Sequence, residues 1–141
     1  MIGKTIDQLR VSDTAQFSKT VSETDVYLFA GVSGDFNPAH INEQYAGGTF
    51  FGKRIAHGLL SASFLSAVLA NQLPGPGAIF LSLSVNFQAP VFIGDTITAR
   101  AEVAQVDSEK NRVTMTLKCI NQDEKQVLEG EAVLSPPKVK K

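Results

Sequence analysis

The chain has a single cysteine, Cys119, in 141 residues. That excludes an internal disulfide framework and any metal site built from several cysteines. It suits a reducing compartment, so a cytoplasmic location is expected. Charge of one sign is also missing. Thirteen Lys and Arg face 14 Asp and Glu, for a net charge of −1. Without a basic excess there is no electrostatic footprint of a nucleic-acid binder. No run of about 18 apolar residues occurs, so no membrane-spanning helix is expected. The longest candidate, 55–73, is broken by His57, three serines, Asn71 and Gln72. The opening MIGKTIDQLRVSD has polar residues where a secretory leader would hold its apolar run, so none is expected. GxGxxG after a strand, GxxxxGK[ST] and GxSxG are all missing, which removes dinucleotide-binding, P-loop and nucleophile-elbow chemistry.

What is present is a chain with 43% hydrophobic residues, enough for one folded domain over 1–141. Only the tail SPPKVKK, from about residue 135, reads as an extended, solvated end. A short strand is expected at Ala15–Val21. A helix follows from Ser22, its N-cap, to about Val32, with Glu23 and Asp25 in the first turn. Asn37-Pro38 starts a second helix running to Ala46, ended by Gly47-Gly48. Residues 57–72, HGLLSASFLSAVLANQ, form a third helix that is apolar or small nearly all round, and therefore buried.

The rest alternates with period two. Ile79, Leu81, Leu83, Val85 and Phe87 share one face. So do Ile97, Ala99, Ala101 and Val103, and then Val113, Met115, Leu117 and Cys119. A last strand covers about Gln126–Leu134. One apolar and one polar face indicate an antiparallel sheet covered on one side. Helices first and strands afterwards give an α+β class. A curved antiparallel sheet wrapped around a long buried helix, the hot-dog fold, accounts for both halves.

The chemistry-bearing residues lie in SGDFNPAH and AHG. Asp35 in a loop and His40 early in a helix could share one water and polarise it. Near a helix N-terminus the dipole favours neutral imidazole, while a nearby carboxylate pulls the other way. Spacing alone equally suits turn and cap residues with a surface histidine. Gly58 opens the buried helix, where a free N–H could hold a carbonyl oxygen as it gains charge. Gly58 could equally serve tight packing alone. His57 reads as a packed or capping residue before an acid–base one. A metal held by Asp35, His40 and His57 lacks specific spacing. Cys119, on the apolar face of a strand, reads as a core residue.

SGDFNPAH, then IAHGLLSASFLSAVLANQLPGPG, then NFQAPVFIGD together resemble the MaoC-like (R)-specific enoyl-CoA hydratases, across about Phe17–Leu134. These include short bacterial forms that supply monomers for polyhydroxyalkanoate synthesis. The resemblance implies that Asp35 and His40 are a catalytic dyad adding water to trans-2-enoyl-CoA. It implies that the Gly58 N–H binds the thioester oxygen, that Ser66 lines the acyl pocket, and that Asn37 shapes the turn at the substrate site. It also implies an acyl-CoA substrate, no metal or other cofactor, and a homodimer. Gly34 departs from relatives with a larger or acidic residue there. Lys53 and Arg54 are candidate cations for CoA phosphates, against a role as solvated surface charges. Ser66, Leu69 and Leu134 are candidates for setting pocket depth. A 3-hydroxyacyl-acyl carrier protein dehydratase, a hot-dog thioesterase and a non-catalytic acyl-CoA-binding protein are the alternatives.

Overall fold

A computed structural model of the chain describes residues 1–139. After a 3-10 turn at Ile6–Gln8 come β1 (Thr14–Thr20), α1 (Glu23–Ser33), α2 (Pro38–Ile41), α3 (Glu43–Gly47) and α4 (Gly58–Asn71). Four strands follow: β2 (Ile79–Phe87), β3 (Thr96–Asp107), β4 (Arg112–Ile120) and β5 (Gln126–Ser135). Local chemistry sets these ends. The Asp25 N–H donates to Ser22 Oγ while Asp25 Oδ2 accepts from the Ser22 N–H, a reciprocal cap that starts α1. Gly34, at φ 83°, ends it in the left-handed region that glycine enters without penalty.

The single helix expected over Pro38–Ala46 is two. Asn42 leaves helical geometry (φ −119°, ψ 105°), and its side chain accepts from the Tyr45 N–H to cap α3. Asparagine offers the backbone this local alternative to helix continuation. His40 therefore sits in the last turn of a four-residue helix, not in the first turn of a longer one. So short a segment has no dipole of consequence, and the dipole argument for His40 does not hold.

The five strands form one antiparallel sheet in the order β1-β3-β4-β5-β2. Ile97, Ala99, Ala101 and Val103 of β3 and Val113, Met115, Leu117 and Cys119 of β4 are all buried, as their alternation predicts. α4 lies across β1, β3 and β4 and buries Leu60, Phe64, Leu65, Val68 and Leu69 against them. The alanines in mid-β3 leave room for these larger helix side chains. Burial also pushes the Cys119 thiol up to about 12, so it is no thiolate nucleophile at neutral pH.

Three expectations are corrected. First, α4 is not buried all round: Leu59, Ser63, Ser66 and Ala70 form an exposed stripe at helical spacing. Second, most apolar residues of β2 are uncovered, with Ile79 at 61% and Leu83 at 42% exposure, and Val85 alone packs in part against the core. β2 is the edge strand beyond β5, and α4 packs over the other side of the sheet. Alternation identifies a face that seeks cover, not the element that covers it. Leu81 is also a bulge, since Phe80 pairs with Leu134 and Ser82 with Val133. Third, the tail is not solvated from residue 135. β5 runs through Ser135, and Pro136 and Pro137 are buried. Asn111 Nδ2 donates to the Pro136 carbonyl at 2.9 Å and to Ser135 Oγ at 3.0 Å. The last two lysines of the expected tail lie outside the described residues. Among the described residues no helix is long and apolar enough to cross a membrane.

Candidate active site

The loop after α1, the short helix α2 and the N-terminus of α4 meet at one place. In the loop, the Asp35 N–H donates to Ser33 Oγ and Asp35 Oδ1 accepts from the Asn37 N–H, both at 3.1 Å. This turn holds the carboxylate in place. Asn37 Oδ1 accepts from the Ala39 N–H and so caps α2, which carries His40. The strap at Ile55–Ala56 is pinned on two sides. The Ile55 N–H donates to the Ala39 carbonyl, and the Ala56 N–H donates to the Val91 carbonyl.

His40 takes its orientation from that strap. Its Nδ1 lies 2.8 Å from the Ile55 carbonyl, which can only accept. The neutral ring therefore carries its proton on Nδ1 and leaves Nε2 with a free lone pair. Asp35, His40 and His57 each bring a ligand atom within 4.8 Å of the others. One water making two bonds of about 2.8 Å at a tetrahedral angle spans about 4.6 Å. A separation within that limit lets a single water bridge Asp35 and His40. A metal suits the cluster less well. The His40 and His57 rings stack at 3.9 Å with 28° between their planes, and His57 Nε2, 2.9 Å from the Asp35 carbonyl, donates a proton there and has no lone pair for a metal.

A cavity of about 480 Å³ opens beside this cluster. Asp35, His57, Gly58 and Ser61 line it on one side, and Phe51, Leu59, Phe87 and Val91 give it an apolar wall. Gly58 is the first residue of α4, so its N–H lacks an intrahelical partner. The Phe87 ring closes over its Cα. A Cβ on Gly58 would stand 2.8 Å from Phe87 Cε1, so only glycine fits beneath the ring. His40 is half-buried against the His57 ring and lies outside the wall of this cavity. His57 is packed, as expected, and its side chain makes no cap bond to α4.

Other expected site residues fall elsewhere. Ser66 is exposed and outside the cavity wall. Five residues before it, Ser61 takes the inward position, because five steps turn a helix by about 140°. Ser61 is buried with its hydroxyl unpartnered among the described residues. Its spacing of three from Gly58 was the available signal. Asn37 lies outside the wall, with its side-chain oxygen engaged in capping. Leu69 and Leu134 are in the core and outside the wall, so Phe51, Phe87 and Leu59 bound the cavity instead. Arg54 is not free for a phosphate. Its Nη2 donates to Glu23 at 2.6 Å and its Nη1 to the Tyr27 hydroxyl at 3.0 Å. The guanidinium holds Glu23 below the usual carboxylate range. Lys53 Nζ lies 4.4 Å over the Phe92 ring.

The chain is similar to known proteins in sequence and fold. Over 131 residues the chain is 51% identical to an (R)-specific enoyl-CoA hydratase of Rhodospirillum rubrum, covering 93% of this chain and 90% of the relative. The unliganded R-hydratase PhaJ1 of Pseudomonas aeruginosa superposes with a TM-score of 0.93 at 42% identity, over 97% and 88% of the two chains. The (R)-hydratase of Aeromonas caviae, described as involved in polyhydroxyalkanoate biosynthesis, gives 0.89 at 40% identity, over 92% and 98%. A family model for the MaoC like domain matches residues 8–125, and the chain belongs to that family.

Proposed function

We propose that this protein is an (R)-specific enoyl-CoA hydratase, adding water reversibly to a trans-2-enoyl-CoA to give the (R)-3-hydroxyacyl-CoA. One observation carries the reading. Asp35 and His40 each bring a ligand atom within 4.8 Å of the other, His40 Nε2 is left without the proton, and the pair lies next to the cavity that Gly58 lines. The identity of the R. rubrum relative supports it. The dyad takes a proton from the water it holds, and the oxygen bonds to C3. The C2=C3 pair of electrons moves toward the thioester, and its oxygen gains charge against the Gly58 N–H at the positive end of α4. The dyad returns the proton to C2, so one water is added and no net proton is consumed. Acid–base groups and an oxyanion donor suffice for this addition, so the reading includes no metal or redox cofactor. The product suits the polyhydroxyalkanoate use described for the A. caviae enzyme.

The test follows the loss of the enoyl-thioester absorbance of crotonyl-CoA, with chiral analysis of the product. The (R)-alcohol is expected. An (S)-product, or release of free CoA without hydration, would reject the reading in favour of another hydratase or a thioesterase.

The reading includes a homodimer. The uncovered face of β2 and the exposed stripe of α4 are apolar or small surfaces without cover in the single chain. Sedimentation equilibrium should return twice the chain mass. Leu83→Glu should raise the dimer dissociation constant by about 100-fold or more, because a buried unpaired carboxylate costs several kcal/mol. An unchanged constant for that variant would move the interface away from β2.

A further inference from the structure

We infer that His57 is a positioning residue that sets the distance between the water-binding dyad and the Gly58 N–H. The inference rests on the hydratase reading above. His57 is only 2% exposed and joins three elements. One face of its ring stacks on His40 of α2 at 3.9 Å, and the Phe29 ring of α1 lies 4.9 Å away. Its Nε2 is 2.9 Å from the backbone carbonyl of Asp35. A carbonyl only accepts, so Nε2 carries the proton and donates it. A single side chain therefore ties down the loop that bears Asp35 and backs the ring of His40. It does so from the residue immediately before Gly58.

This differs from core filling. A phenylalanine would occupy the same space between Phe29 and His40. It would also avoid burying a polar atom, for His57 Nδ1 is buried and unpartnered among the described residues. The edge of the ring that earns its place is Nε2–H. Without it, no hydrogen bond of Asp35 among the described residues reaches toward α4: its other bonds run to Ser33 at the end of α1 and to Asn37 in the loop. The loop would then be free to drift relative to the helix that presents the oxyanion donor. When His40 takes up the water's proton, its cation also meets an aromatic face at stacking distance, which is attractive.

The experiment compares His57→Phe, His57→Gln and His57→Asn with wild type, Asp35→Ala and His40→Ala in crotonyl-CoA hydration. Phenylalanine keeps the stack and loses the donor. Glutamine carries an amide N–H at the reach of Nε2, while asparagine is too short. In His57→Phe and His57→Asn, kcat should fall about 10- to 100-fold, as expected for a lost positioning contact. KM should stay within about threefold, because the loss is made in the transition state. His57→Gln should recover most of kcat. Wild-type kcat in His57→Phe, or glutamine no better than asparagine, would overturn the inference. If His57→Phe does not fold, the glutamine–asparagine comparison decides. Hydration lost in Asp35→Ala and His40→Ala but intact in all His57 variants rejects the role of His57 alone. A wild type inert on every enoyl thioester rejects the hydratase reading. The nitrogen NMR spectrum of the imidazole rings then decides the geometry, since a proton on Nδ1 of His57 overturns the inference without any turnover.

Discussion

Asp35→Ala and His40→Ala should each lower kcat for enoyl-thioester hydration by about 10²- to 10⁴-fold, the range for loss of a positioned acid–base group. KM and thermal stability should change little. Asp35 is exposed, and its backbone N–H bond to Ser33 does not involve its carboxylate. His40 is half-buried, and its side chain makes one hydrogen bond, to the Ile55 carbonyl. Neither deletion opens a cavity in the core between α4 and the sheet. Asp35→Asn is the sharper variant. Its side-chain oxygen still accepts from the Asn37 N–H, so the turn survives. The second oxygen becomes an amide that cannot accept a proton from water. The double variant should be no worse than the more damaged single one, because two groups that hold one water act as a unit. Initial rates with crotonyl-CoA, beside melting curves, check all four. Full activity in a folded Asp35→Asn protein would remove the carboxylate from the chemistry.

Gly58→Ala should lower kcat by about 10²-fold, close to the loss of an oxyanion donor. The added Cβ would meet Phe87 at Cε1, Cδ1 and Cζ, at 2.8, 2.9 and 3.2 Å. Phe87 is 54% exposed and its ring can swing outward, so folding tolerates the change. The cavity does not tolerate it, because the displaced ring is part of the wall beside the N–H. The companion variant isolates the cause. In Gly58→Ala/Phe87→Ala the collision is gone, and kcat should rise above that of Gly58→Ala alone. No recovery would show that the methyl group blocks the thioester seat directly.

Particular residues show how far the sequence was legible. The Ser22 cap, the Asn37-Pro38 start and the alternation of β3 and β4 were readable because each depends on neighbours one to four positions away. Asn42 breaks the helix expected over Pro38–Ala46, because a residue in a helical pattern gives no sign that its side chain will cap the next helix. The motif and the resemblance single out Asp35 and His40, but only the folded loop brings them together. Ser61 and Ser66 differ by about 140° around one helix, so Ser61 lines the cavity while Ser66 lies on the exposed stripe of α4. Lys53 and Arg54 were equal candidates in sequence, yet Arg54 is paired with Glu23, 31 residues away.

Sequence alone therefore determined the parts: an α+β chain, one small-residue helix, strands with one apolar face, and the residue types needed for acid–base chemistry. Those follow from periodicity and capping, which act over a few residues. The tertiary structure decided which faces meet. It left β2 and a stripe of α4 uncovered, buried the tail prolines, and brought His57 to a carbonyl 22 residues away. Contacts over such separations depend on how the sheet curves around α4, and no local pattern encodes that curvature.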